Sequence, residues 1–205
     1  MKTLSAYVRT APLTTAELLA FALAFSDRLA LDHATDVSHG DLHPENILWD
    51  GDQTVEFAER GEDSSDVGYL APEQCGAPGE LGPRSDVFAA GTILYEAATG
   101  EHPFADPTSH DDTAWIANIR SYTPRPPGHI RSELAVEWDG ILACCLHKEA
   151  NQRFASALDL HAQIRRLQVS GGTPRKNPFQ PRWGRIVAAA MLVVGTLGAL
   201  VWWLV

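Results

Sequence analysis

Residues 84–99, RSDVFAAGTILYEAAT, constrain the fold of this chain more than any other stretch. The pattern predicts a helix with Ser85 as N-cap and Gly100 as C-terminal stop. Its interior is so apolar that the helix has to be central and buried, because an all-round apolar helix must be covered on every side. Candidates for that cover are easy to find. Residues 14–34, TTAELLAFALAFSDRLALDHA, predict a long helix capped by Thr14 or Thr15, with Glu17 in its first turn. Leu18, Phe21, Ala22, Phe25 and Leu29 recur there at helical spacing and should face the core. Further helices are predicted near 112–120, 132–147 and 155–167. Two short strand-like pieces, Ile47–Trp49 and 54–57, flank Asp50-Gly51-Asp52-Gln53, a strong hairpin signal. Residues 58–83 are rich in Gly, Pro, Ser and acids and read as loop. The fold class is therefore mainly α, with one short β-hairpin.

Charge narrows the function classes. The chain has 205 residues, 26 acidic and 16 basic side chains and a formal net charge of −10. A nucleic-acid partner is not expected, since such proteins are normally basic. The three cysteines, Cys75, Cys144 and Cys145, lack a framework spacing, which points to a reducing compartment, and the adjacent Cys144 and Cys145 read as buried small hydrophobes.

The C-terminus is different in kind. Residues 186–205, IVAAAMLVVGTLGALVWWLV, carry no charge over 20 positions. As a helix that stretch is about 30 Å long, near the hydrocarbon thickness of a bilayer. It predicts one transmembrane helix. Residues 169–185 form a basic Gly/Pro linker, and Arg175, Lys176, Arg182 and Arg185 in it predict a single-pass membrane protein with its domain on the cytoplasmic side. Residues 1–13 show no signal peptide. Gly195 and Ala199 have small-xxx-small spacing, so a homodimer is a possible partner state.

The stretch His39-Gly40-Asp41-Leu42-His43-Pro44-Glu45-Asn46 resembles the protein-kinase catalytic loop H-R-D-L-x-x-x-N. The same stretch resembles the loop of aminoglycoside and choline phosphotransferases, which are small-molecule kinases. VGYLAPEQ at 67–74 looks like the end of a kinase activation segment, with Ala71-Pro72-Glu73 as its A-P-E. RSDVFAAGTILYEAATGEHPF at 84–104 is similar to the central helix of bacterial Ser/Thr kinases, and CLHKEANQRFASA at 145–157 to their late helix. A-P-E together with S-D-V-x-x-x-G decides for the protein kinase superfamily. The resemblance implies a C-lobe over residues 1–168. It implies Asp41 as catalytic base and Asn46 as a magnesium ligand, with His43 at a position where protein kinases usually carry Lys. It also implies fold-keeping roles. Asp86 braces the catalytic loop, Glu73 pairs with Arg153, and His39 packs in the core.

Other parts of the pattern depart from the family. The D-F-G position reads Glu59-Arg60-Gly61. Glu59 could bind a hard cation, but its side chain is one methylene longer than Asp. Magnesium tolerates little error, and a misplacement of about 1 Å can cost 10²-fold. Nine residues separate Gly61 from Ala71, fewer than the family's usual activation segment. No G-x-G-x-x-G, V-A-I-K lysine, partner glutamate or hinge is found among the 205 residues. ATP and magnesium are thus implied cofactors only if the protein is active. Three functions are expected to compete. They are a catalytically impaired kinase-like binding module with a protein partner, an active Ser/Thr kinase completed by an N-lobe from upstream sequence or a partner, and a remnant with no function beyond its fold.

Overall fold

A computed structural model describes residues 1–58, 66–76, 81–105 and 111–173. They lie in one unit, Met1–Arg175, whereas residues 176–205 form a second unit outside the described residues. In chain order the elements are β1 (Lys2–Thr3), α1 (Leu4–Val8), α2 (Thr15–His33), β2 (Ile47–Trp49) and β3 (Val55–Phe57). They are followed by α3 (Pro83–Thr99), α4 (Asp112–Ser121), α5 (Glu137–Cys145) and α6 (Ala157–Ser170).

Helix α3 is the axis of the domain. Every residue from Ser85 to Thr99 except Glu96 is buried. Gly91 shows how tightly the axis is wrapped. A Cβ placed there would stand 2.4 Å from the Cβ of Cys145, so α3 and α5 approach at a distance only glycine allows. The helix ends where Gly100 turns left-handed, φ 76°. Its start differs from the sequence expectation. Gly82 occupies the cap and Pro83 the first turn, while Ser85 lies inside the helix and gives its hydroxyl to Glu73 (2.9 Å).

Helix α2 begins with a capping box. Thr14 Oγ1 accepts from Glu17 N–H, and Glu17 Oε2 accepts from Thr14 N–H (3.3 and 2.9 Å), which satisfies two donors that a helix start leaves orphaned. Its buried face is Leu18, Phe21, Ala22, Phe25, Ser26 and Leu29. Helix α6 packs on α2, where Ser26 Oγ donates to Ala22 O (2.6 Å) and meets His161 Nδ1 (3.0 Å).

Three further expectations need correction. The β-hairpin is part of a three-stranded antiparallel sheet in the order β1-β2-β3, with Lys2 opposite Trp49 and Thr3 opposite Leu48. Two residues are too few to show alternation, so β1 carries no readable strand signal. The helix predicted over 132–147 is confined to Glu137–Cys145. The preceding residues form a turn instead, and Arg131 beside them donates to the carbonyls of Leu13 (2.6 Å) and Ala98 (2.7 Å). Finally, among the described residues no helix is long and apolar enough to cross a membrane. The predicted transmembrane helix and the single-pass membrane localisation therefore find no support in the structure. The apolar stretch on which they rested, 186–205, lies outside the described residues.

Candidate active site

Residues 39–46 run between α2 and β2 and are held from beneath by α3. Asp86, in the first turn of α3 and 1% exposed, accepts from His39 N–H and Gly40 N–H, each at 2.7 Å. His33 Nε2 meets the same carboxylate at 3.0 Å, and His33 Nδ1 accepts from Ala157 N–H (3.1 Å). Because Nδ1 is an acceptor, Nε2 must carry the proton, so His33 donates to Asp86. One carboxylate thereby joins the loop, α2, α3 and the start of α6.

Backbone geometry at Gly40 fits this clamp. Its φ is 72°, a region costly for residues with a Cβ, and a Cβ there would also lie 3.2 Å from Leu81 Cδ1. The loop closes on itself through Asn46. Its Nδ2 donates to Asp41 O, its Oδ1 accepts from His43 N–H (3.1 Å), and its backbone N–H donates to His43 O (3.1 Å). Asp41, His43 and Asn46 are thus brought together, and all three are buried. His39 is only half-buried, with its ring against Phe57 edge to face (centroids 4.9 Å), rather than a core residue.

A second clamp lies where the A-P-E stretch meets the late helix. Arg153 uses all five of its N–H donors. Nη1 and Nη2 grip Glu73 Oε1 and Oε2 (2.7 and 2.8 Å), Nε reaches His147 O (2.7 Å), and the other two hydrogens reach Arg84 O (3.0 Å) and Lys148 O (2.9 Å). Burial alone would raise the Glu73 pKa. Burial is the largest single influence, but the hydrogen bonds from Arg153, a backbone N–H and Ser85, with the Arg153 charge, together outweigh it and hold the carboxyl below its usual value.

Beside the loop is a polar cleft of about 320 Å³ bordered by Ser5, His43, Glu45, Tyr69 and Glu96. Tyr69 OH donates to Glu96 (2.5 Å) and Ser5 Oγ to Glu45 (2.6 Å). Burial, more than the opposing Tyr69 hydrogen bond, pushes the Glu96 carboxyl up. His43 Nε2 is buried without a partner among the described residues. Behind Tyr69, His102 sits edge-on to Tyr69 and Trp115 (5.1 and 4.6 Å), and burial lowers its pKa to about 4.

His33, Ser5 and His102 take part in this architecture and were not singled out from the sequence. His33 reads simply as the end of an amphipathic helix. Glu59, the other candidate metal ligand, lies outside the described residues. Asn46 Oδ1 keeps a lone pair after accepting from His43 N–H, so it suits a hard cation such as magnesium. Among the described residues no group of three or more His, Cys, Asp or Glu side chains is placed to hold a metal ion.

A mainly helical domain with a small sheet and a clamped HGDLHPEN loop beside an A-P-E segment is that of a protein kinase. Residues 1–163 match the protein kinase domain, and the chain belongs to that family. It is similar to the serine/threonine-protein kinase PknL of Mycobacterium tuberculosis, at 28% identity over 193 residues, covering 83% of this chain and 47% of that protein. It is likewise similar to the probable serine/threonine-protein kinase PknB of Bifidobacterium longum, at 31% over 176 residues, covering 78% and 25%. The serine/threonine-protein kinase PknB of Mycobacterium leprae is 29% identical over 168 residues, with 73% and 26% covered. The chain spans less than half the length of each of these relatives.

Proposed function

We propose that this chain is a Ser/Thr-kinase-type module that keeps the catalytic-loop scaffold, transfers phosphate poorly and acts by binding a protein partner. The observation that carries this reading is a mismatch. Asp41 and Asn46 sit in a loop braced by Asp86 and closed by Asn46, yet Glu59-Arg60-Gly61 stands where the family has D-F-G. In this reading Asp41 accepts the proton of a substrate hydroxyl, and Asn46 Oδ1 supplies one oxygen toward magnesium. Magnesium with ATP, when bound, contributes neutralisation of phosphate charge. His43 offers an imidazole where a lysine would offer a fixed cation.

The test compares the full chain with Asp41→Asn in a transfer assay with labelled ATP, magnesium and a general protein substrate. Label at the Asp41→Asn level, with no rise in melting temperature on adding magnesium-ATP, is expected. Transfer well above that level overturns the reading. A second reading, an active Ser/Thr kinase completed by a lobe from further sequence or from a partner, is favoured by the intact bracing of the loop. Under it, Glu59→Asp in the completed enzyme should raise transfer about 10²-fold. Equal rates for Glu59 and Asp would show that Glu59 is not the block.

A further inference from the structure

A cavity of about 440 Å³ lies between the C-terminal end of α3, residues 123–127 and α5. None of its lining residues belongs to the catalytic loop or the A-P-E segment. Its size is in the range of small-ligand sites. Its walls are apolar, made by Tyr95, Pro124, Pro126, Pro127, Leu142 and Leu146. They are also stiff. Proline fixes φ in three of these residues, Tyr95 OH donates to Arg125 O (3.0 Å), and Gly128 N–H donates to Asp139 Oδ1 (3.0 Å). A cavity framed this way does not close when empty.

Its border is basic, although the chain as a whole carries −10. Arg125, His147 and Lys148 stand there, against the single carboxylate Asp139, which already serves Gly128. His147 Nδ1 lies 3.2 Å from Glu149 N and 3.4 Å from Glu149 O, and its Nε2 has no hydrogen-bond partner among the described residues. Arg125 gives one nitrogen to Glu101 (3.1 Å) in a pair whose side chains are 63% and 56% exposed, which is worth little and easily exchanged. Lys148 lines the cavity but its ammonium is engaged elsewhere, donating to Ile119 O (2.6 Å) and lying 4.2 Å from the centre of the Phe104 ring, neither of which belongs to the cavity wall.

We propose that this cavity binds a free apolar carboxylate, a medium-chain aliphatic or aryl-alkyl acid. Its body lies against Tyr95, the prolines and the two leucines, and its carboxylate meets Arg125 and His147 at the border. Calorimetric titration of the full chain with decanoate and with decanol tests this. Decanoate is expected to bind one to one and to raise the melting temperature, with decanol about tenfold weaker for want of the charge-assisted bonds. Ala143→Glu places a like charge at an exposed wall position. It should weaken decanoate about tenfold while leaving the ligand-free melting temperature unchanged. Arg125→Gln should weaken decanoate but not decanol, and decides alone if Ala143→Glu shifts the ligand-free melting temperature. Equal affinity for decanoate and decanol, or decanoate binding unmoved by both variants, overturns the proposal.

Discussion

Replacing Arg153 by alanine removes five hydrogen bonds and a guanidinium lying 4.8 Å from the centre of the Phe88 ring. The Arg153 side chain is fully buried, and that of Glu73 is 27% exposed. Stranding one member of a buried ion pair typically costs about 3–5 kcal/mol. Water can reach Glu73, and it can also enter the space left beside the orphaned carbonyls of His147, Arg84 and Lys148. Both effects point to the lower end, about 3 kcal/mol. For a domain of this size that is a fall of about 6–12 °C in melting temperature. Arg153→Lys keeps the charge but loses the planar fork, and should fall between the two. The double variant Glu73→Ala/Arg153→Ala should cost less than the sum of the single changes, because the stranded carboxylate goes with its partner. Melting followed by circular dichroism checks all three. A fall below about 2 °C for Arg153→Ala, or strict additivity in the double variant, would refute the reasoning.

Three more outcomes are expected from particular contacts. Gly91→Ala should lower the unfolding free energy by about 1–3 kcal/mol in denaturant titration despite alanine's better helix propensity, since the new methyl meets Cys145; a stabilised variant would show that α5 gives way. Asp86→Asn puts an amide donor against N–H donors from His39, Gly40 or His33, and should cost about 2 kcal/mol and speed hydrogen exchange at the Gly40 amide. His102 is lowered to about 4 from an ordinary 6.5, so its contribution to stability is complete above 6.5 and is lost as pH falls toward 4; His102→Phe should flatten the melting-temperature profile across that window.

The helices could be read because each carries a strong local signal. The capping box of α2, the all-round apolar face of α3 and the stop at Gly100 need no knowledge of neighbours. The cap of α3 was misread for the same reason, because Ser85 is a good local cap whose hydroxyl is claimed by Glu73, 12 residues earlier. Strand β1 and the shortened α5 depend on partners far along the chain, and the two residues of β1 leave no periodic trace. At the candidate site, Asp41 and Asn46 can be named from motif spacing alone. The tautomer of His33 and the burial of His102 follow only from contacts with Ala157 and Trp115, which no spacing encodes.

One feature at the start of the chain has a mechanical consequence. Lys2 and Thr3 pair with Trp49 and Leu48, Ser5 N–H donates to Pro44 O (3.1 Å), and Ser5 Oγ holds Glu45. A load applied at residue 1 therefore reaches Pro44 and Glu45 within five residues, with no slack to absorb it. Tension or torque applied at residue 1 would thus be felt at the HGDLHPEN loop before the helical core yields.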